Sequence, residues 1–277
     1  MNSWLKSILD YLLEKKGFDF SGYNPSMVER RIGQRVAAIG CKNFSDYLLY
    51  VKENSDEIDN ILDVITINVS RFFRNTLTFE LLAERILPTI IMEKMERNDK
   101  SIRVWSAGCA MGEEPYSVAI VLNDLLCREG LTMNLHIFAT DIDSKSLDGA
   151  VKALYPISSV ENIKYRLLRR YFTQIQSGQS FQVVPEIRDK VLFSLYDMLD
   201  KKHRVPPESI FGNFDLVFCR NLLIYFNTEY QETIFERLHQ SLTQNGYLIL
   251  GSAEAPPIKY QRHFKKVFDF STIYKKQ

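Results

Sequence analysis

Arg103-Val-Trp-Ser-Ala-Gly108-Cys-Ala-Met-Gly112-Glu-Glu-Pro-Tyr-Ser117 reads as a strand, a glycine loop and the opening turn of a helix. A strand that stops at a glycine turn, with a helix directly behind it, lets a ligand lie against bare backbone. The helix N-terminus there offers unpaired N–H groups. Glu113 and Glu114 begin the helix, and Pro115 follows. A phosphate site would carry Lys or Arg at this place, whereas a carboxylate suits a cation. The loop matches neither G-x-G-x-x-G nor G-x-x-x-x-G-K-[ST], so nucleotide phosphates fit poorly. A cationic, nucleoside-bearing cofactor such as S-adenosylmethionine fits better.

Outward from this stretch, strand-like runs alternate with helical ones. Ile102–Ala107 leads into a helix to Leu126, and Leu135–Thr140 into a helix near Ser144–Ala153. Val191–Leu195, Phe214–Cys219, a helix Thr228–Leu242 and Tyr247–Leu250 complete the series, with Gly246 read as the helix stop. Strands separated by helix-length segments predict an α/β fold with a parallel sheet. Tyr171–Val184 alternates around Ser177-Gly178 and reads as a small inserted β-hairpin; Phe264–Tyr274 reads as a closing hairpin. Upstream of about residue 95 the pattern is helical only. The expected division is a helical domain at 1–95 and a sheet domain at 96–277, with a β-subdomain inserted at about 168–190.

Composition narrows the class. The chain has 277 residues, 45% of them hydrophobic, and a net charge of +1. No global basic field argues for nucleic acid. Cys41, Cys109, Cys127 and Cys219 show no metal-ligand spacing. They read as reduced thiols, and a cytoplasmic location is expected. No metal is expected. No apolar run approaches the ~18 residues of a membrane span. The N-terminal segment Trp4–Leu13 is amphipathic and lacks the marks of a signal peptide.

In an open α/β sheet, ligands sit at the carboxyl ends of the strands. The first strand ends at Gly108, the second at Asp141 and Asp143, the third at Tyr196-Asp197-Met198 and the fourth at Arg220-Asn221. An acid after the second strand suits ribose hydroxyls. Gly108, Glu113, Asp141 and Asn221 are therefore expected together in a nucleoside site. Asn68 and Arg74 flank Phe72-Phe73, aromatics expected in the core, so their polar heads need partners.

The motifs jointly resemble the chemotaxis receptor methyltransferases, the CheR family. They are Asn68-x-Ser70-x-Phe-Phe-Arg74, Val104-Trp-Ser-Ala-Gly-x3-Gly112-Glu-Glu-Pro-Tyr-Ser117, Ala139-Thr-Asp141-Ile-Asp143, Phe218-Cys-Arg-Asn221-x3-Tyr225-Phe226 and Gly251-x2-Glu254. Their order and spacing cover nearly the whole chain.

The resemblance implies a class I methyltransferase sheet, an N-terminal all-helical domain and a small antiparallel β-subdomain. It implies that Asn68, Ser70, Arg74, Glu113, Asp141, Asp197, Met198, Asn221 and Leu222 contact S-adenosylmethionine or its product, S-adenosylhomocysteine. Arg74 and Tyr225 would border the transfer site. Ser70 stands where Thr is usual and Asp197 where Asn is common; Ser252 and Ala253 are assigned no role. The implied substrate is a glutamate carboxylate on a cytoplasmic chemoreceptor helix, with the enzyme a monomer. Such helices are acidic around methylation sites, and Arg30, Arg31 and Arg35 form a basic helix face for docking. The short loop Gln176–Ser180 suggests recognition without a receptor tail peptide. Two alternatives stay open: methyl transfer to another protein or a small molecule, and a signalling module that only binds S-adenosylmethionine.

Overall fold

The computed structural model describes residues 3–66, 70–175, 178–200 and 202–277. Residues up to 68, together with Ile224–Gln231, group as one compact unit; the remainder from residue 69 forms a second.

Among the described residues up to 66, the first unit forms α1 (Ser3–Lys16), α2 (Pro25–Ile39), α3 (Phe44–Glu53) and α4 (Asp56–Thr66). Local sequence sets their ends. Asn24 caps α2 by accepting from the Ser26 amide, with Pro25 at the first helical position, and Gly40 closes it in the left-handed region. Asn43 caps α3 through the Asp46 amide. Leu5, Ile8, Leu12, Ile32, Tyr47, Ile61 and Ile65 are fully buried, one stripe from each helix. The segment Ile224–Gln231 joins this unit because the Asn24 amide donates to the Tyr225 carbonyl at 2.8 Å. Tyr23 also pairs with Phe226 as an antiparallel bridge.

The second unit opens with α5 (Thr76–Leu81), a π-helical turn at Leu82–Ile86 and α6 (Leu87–Glu96). The sequence reading grouped these residues with the N-terminal helices. Phe79, Leu82, Ile86, Leu87, Ile90 and Ile91 instead share one core with Ile102 and Val104 of the sheet. The divide falls at 68/69 rather than near 95. Helical periodicity reveals an apolar face but not which core buries it.

There follow β1 (Ser101–Ala107), α7 (Glu113–Glu129), β2 (Asn134–Asp141), α8 (Ser144–Lys152), β3 (Leu154–Pro156), α9 (Ile157–Val160) and α10 (Tyr165–Tyr171). Next come β4 (Phe172–Ile175), β5 (Ser180–Val183), α11 (Pro185–Arg188), β6 (Val191–Leu195), β7 (Phe214–Cys219), α12 (Thr228–Ser241), β8 (Leu242–Leu250), β9 (Phe264–Lys266) and β10 (Ile273–Lys276). Seven strands form a sheet in the order β6-β2-β1-β7-β8-β10-β9. The first five are parallel, and β10 runs antiparallel to both its neighbours.

Two details differ from the sequence reading. The inserted hairpin β4–β5 gains a third strand, β3, paired antiparallel to β5. Gly246 does not end a helix, because α12 stops at Ser241 and Gly246 lies within β8. The register there jumps from Phe214↔Leu242 to Leu216↔Tyr247, and Asn245 adopts a φ of 66°. The glycine marks an irregularity in a strand, not a cap. A Cβ at Gly246 would stand 3.0 Å from the Phe214 and Thr243 carbonyl oxygens.

Candidate cofactor and transfer site

Within the sheet unit, the carboxyl ends of β1, β2, β6 and β7 gather most of the expected residues. Gly108 has a φ of 73° and donates its amide to the Thr140 carbonyl at 2.8 Å. A Cβ there would press on Leu222 at 3.2 Å, so a side chain is opposed by both conformation and space. Gly112, at a φ of 88°, would set a Cβ 2.9 Å from that of Ala150. The loop thus holds its backbone bare, as a bound nucleoside requires.

Asp141 is buried at the end of β2. Its carboxylate accepts from the Ala110 amide at 2.8 Å and the Asp143 amide at 3.0 Å. The Tyr196 amide donates to the Asp141 carbonyl at 2.9 Å, which brings Asp197 and the buried Met198 alongside. Burial pushes the Asp141 carboxyl above its usual range, against the pull of its backbone donors.

Glu113 begins α7 with 5% of its surface exposed. Burial raises its pKa, while its own backbone amide and the Ser70 hydroxyl act in the opposite direction. Its Oε2 atom has no hydrogen-bond partner among the described residues. An orphaned, buried carboxylate oxygen is a costly arrangement for folding alone. It suits a ligand that brings a donor or a cation. That orphan, the bare glycine loop and the Asp141 carboxylate fit S-adenosylmethionine.

Asn221, two residues beyond β7, sits in the left-handed region at a φ of 59°. Glu254, buried, holds it there: one Oε2 accepts from the Asn221 amide at 2.8 Å and the Gly251 amide at 2.7 Å. The sequence reading placed Glu254 in a motif but gave it no role. The signal was the Gly-x2-Glu spacing; a Cβ at Gly251 would lie 2.6 Å from that oxygen. Arg220 and Glu114 were also missed. They form an ion pair at 3.0 Å with side chains 4% and 12% exposed.

Arg74 lies in the sheet unit with its side chain exposed. Asn68 falls outside the described residues, as do Gln176 and Ser177 of the β4–β5 loop. Tyr225 belongs to the helical unit, where the Arg31 guanidinium stacks 4.9 Å from its ring centroid.

The basic docking face is corrected. Arg31 is buried and donates to the Val64 and Ile65 carbonyls, satisfying the C-terminal end of α4. Arg35 bonds both oxygens of buried Glu57, at 2.8 and 2.6 Å. Of the three arginines only Arg30 is exposed. The other two serve the helical core.

The strand order and the bare-loop acids define a class I S-adenosylmethionine-dependent methyltransferase. The chain belongs to the CheR methyltransferase family. Residues 68–272 match the family's model for "CheR methyltransferase, SAM binding domain", and residues 4–66 match "CheR methyltransferase, all-alpha domain". It is 29% identical to the chemotaxis protein methyltransferase of Borreliella burgdorferi, over 90% of this chain and 87% of that one. The corresponding protein of Listeria innocua is 32% identical over 86% and 84% of the two chains. That of Salmonella typhimurium is 33% identical over 90% and 82%. No helix among the described residues is long and apolar enough to cross a membrane.

Proposed function

We propose that the protein methylates glutamate side chains of bacterial chemoreceptors, giving methyl esters for chemotactic adaptation. The single observation that carries the reading is the orphaned Glu113 oxygen beside a bare glycine loop, in a chain whose similar proteins include chemotaxis methyltransferases. When bound, S-adenosylmethionine supplies an electrophilic methyl group on a sulfonium centre. Asp141 accepts from the ribose hydroxyls. Glu113 takes a donor or positive end of the cofactor, and Ser70 orients its carboxylate.

A glutamate carboxylate, with an ordinary pKa of ~4.3, is already ionised at neutral pH. No strong base is required, and the chain's task is alignment. Arg74 orients the incoming carboxylate by charge-assisted hydrogen bonds. The family motif also implies a positioning role for Tyr225. Alignment of this kind is worth ~7–11 kcal/mol in favourable cases. The protein acts as a cytoplasmic monomer.

The test is transfer of labelled methyl from S-adenosylmethionine to receptor-bearing membranes of the source cell. Base-labile label in a receptor-sized band is expected. Label that survives base would point to an amine or other acceptor and overturn the ester reading.

A further inference from the structure

We propose that Arg220 is a positioning residue for the transfer step: its guanidinium fixes the backbone of the strap formed by residues 70–75, and through it the reach of Arg74. The proposal rests on the reading of Arg74 given above. The strap is an unusual piece of chain. Phe73 and Asn75 both sit in the left-handed region, at φ of 52° and 64°. Non-glycine residues persist there only when their surroundings hold them.

Two groups grip the strap. The Ser117 hydroxyl oxygen accepts from the Phe73 amide at 2.9 Å. Arg220 donates through Nη2 to the Arg74 carbonyl at 2.8 Å.

Arg220 is itself set from behind. Its Nη1 donates to Glu114 Oε2 at 3.0 Å, and the Ser106 hydroxyl donates to Glu114 Oε1 at 2.8 Å. Ser106 lies on β1, Glu114 on α7 and Arg220 just beyond β7, so three sheet-unit elements converge on one carbonyl. With both terminal nitrogens engaged, Nε without a partner among the described residues and 4% of the side chain exposed, Arg220 is placed to hold the strap. The fork geometry matters: a guanidinium spans Glu114 and the Arg74 carbonyl together, whereas an ammonium is a single point charge. Burying a charge here for packing alone would be unfavourable, because an apolar pair of similar volume would do as well.

Arg220→Lys keeps a cation opposite Glu114 and gives up the fork. We expect turnover at saturating cofactor and receptor to fall at least tenfold with an unchanged melting temperature. Amide exchange from Phe73 to Asn75 should quicken. In an Arg74→Ala background the same substitution should cost nothing further, since the two act in series. Wild-type exchange in the strap, or a full tenfold loss added on top of Arg74→Ala, would overturn the proposal. Should Arg74→Ala alone keep wild-type turnover, the role of Arg74 falls while the exchange result still judges the grip. If Arg220→Lys does not fold, the paired Glu114→Gln/Arg220→Met variant removes both charges at once and carries the same exchange measurement.

Discussion

Two buried glutamates, one in each unit, stand in opposite electrostatic states. Glu57 of the helical unit is 3% exposed and accepts from Arg35 twice, from Tyr47 at 2.6 Å and from Asn60 at 2.9 Å. Burial alone would raise its pKa, but these donors outweigh burial and hold it below the usual range. Glu113 of the sheet unit is 5% exposed and keeps one oxygen without a partner among the described residues. Its pKa is raised. Equal burial with unequal partnership separates a carboxylate that builds the fold from one that the proposed function assigns to the cofactor.

The largest expected effect strikes the structural member. Arg35→Met leaves Glu57 buried without its bidentate cation, and should destabilise the helical unit by about 3 kcal/mol. That is the low end for breaking a buried pair, because Arg35 is only half-buried. Denaturant titration followed by circular dichroism measures it. A loss under ~1 kcal/mol would place the pair among ordinary surface bridges.

Next in size is Asp141→Ala, which removes the acceptor expected for the ribose. Cofactor affinity by calorimetry should fall by ~1.5–3 kcal/mol, the range for hydrogen bonds to charged groups. An unchanged affinity in the folded variant would remove Asp141 from the site.

Glu113→Gln should weaken cofactor binding while leaving the empty protein as stable or more so. Replacing Arg35 or Glu57 moves stability the other way. The pH dependence sharpens the contrast. A raised carboxyl pKa means the folded state holds the proton more tightly than the unfolded chain. Glu113 therefore costs stability as pH rises from the unfolded value of ~4.3 through its raised folded pKa. The stability advantage of Glu113→Gln should grow over that interval and then level off. Glu57, with a lowered pKa, contributes stability above the unfolded value, and that contribution is lost as pH falls through the folded one. Parallel pH slopes for the two sites would break the comparison.

The smallest effect concerns Arg30. Arg30→Glu, on an exposed side chain, should leave stability within ~0.5 kcal/mol. It should raise the Michaelis constant for receptor modestly at low salt. The rise should vanish as salt shortens screening to ~3 Å at 1 M. No change at low salt would remove the last arginine of the expected docking face.

Much of this was legible in the chain. The alternation after residue 101 gave the parallel sheet, and the glycine loop with its acids pointed to the sheet edge where the cofactor site is proposed. What escaped involved partners far away in sequence. Arg31 and Arg35 look like a solvated stripe by spacing. Nothing nearby reveals that Glu57, 22 residues on, claims one of them, or that the end of α4 claims the other. The strand β3 has three residues and no alternation to speak of, and exists because β5 supplies its ladder. Arg220 reads as a polar punctuation after an apolar strand; its fork becomes visible only when Glu114 and the Arg74 carbonyl arrive beside it.

The chain has two tryptophans, and the fold gives one to each unit. Trp4 stacks on Phe44 with ring centroids 3.4 Å apart. Trp105 is wholly buried in β1 and donates its indole N–H at 2.9 Å to the hydroxyl of Thr140, the residue that precedes Asp141. The protein therefore carries two built-in optical reporters in unlike surroundings. With Trp4 replaced by Phe, the emission belongs to the cofactor sheet alone; with Trp105 replaced, to the helices. Whether the two units melt together or apart can then be followed by colour, without attaching a dye to either.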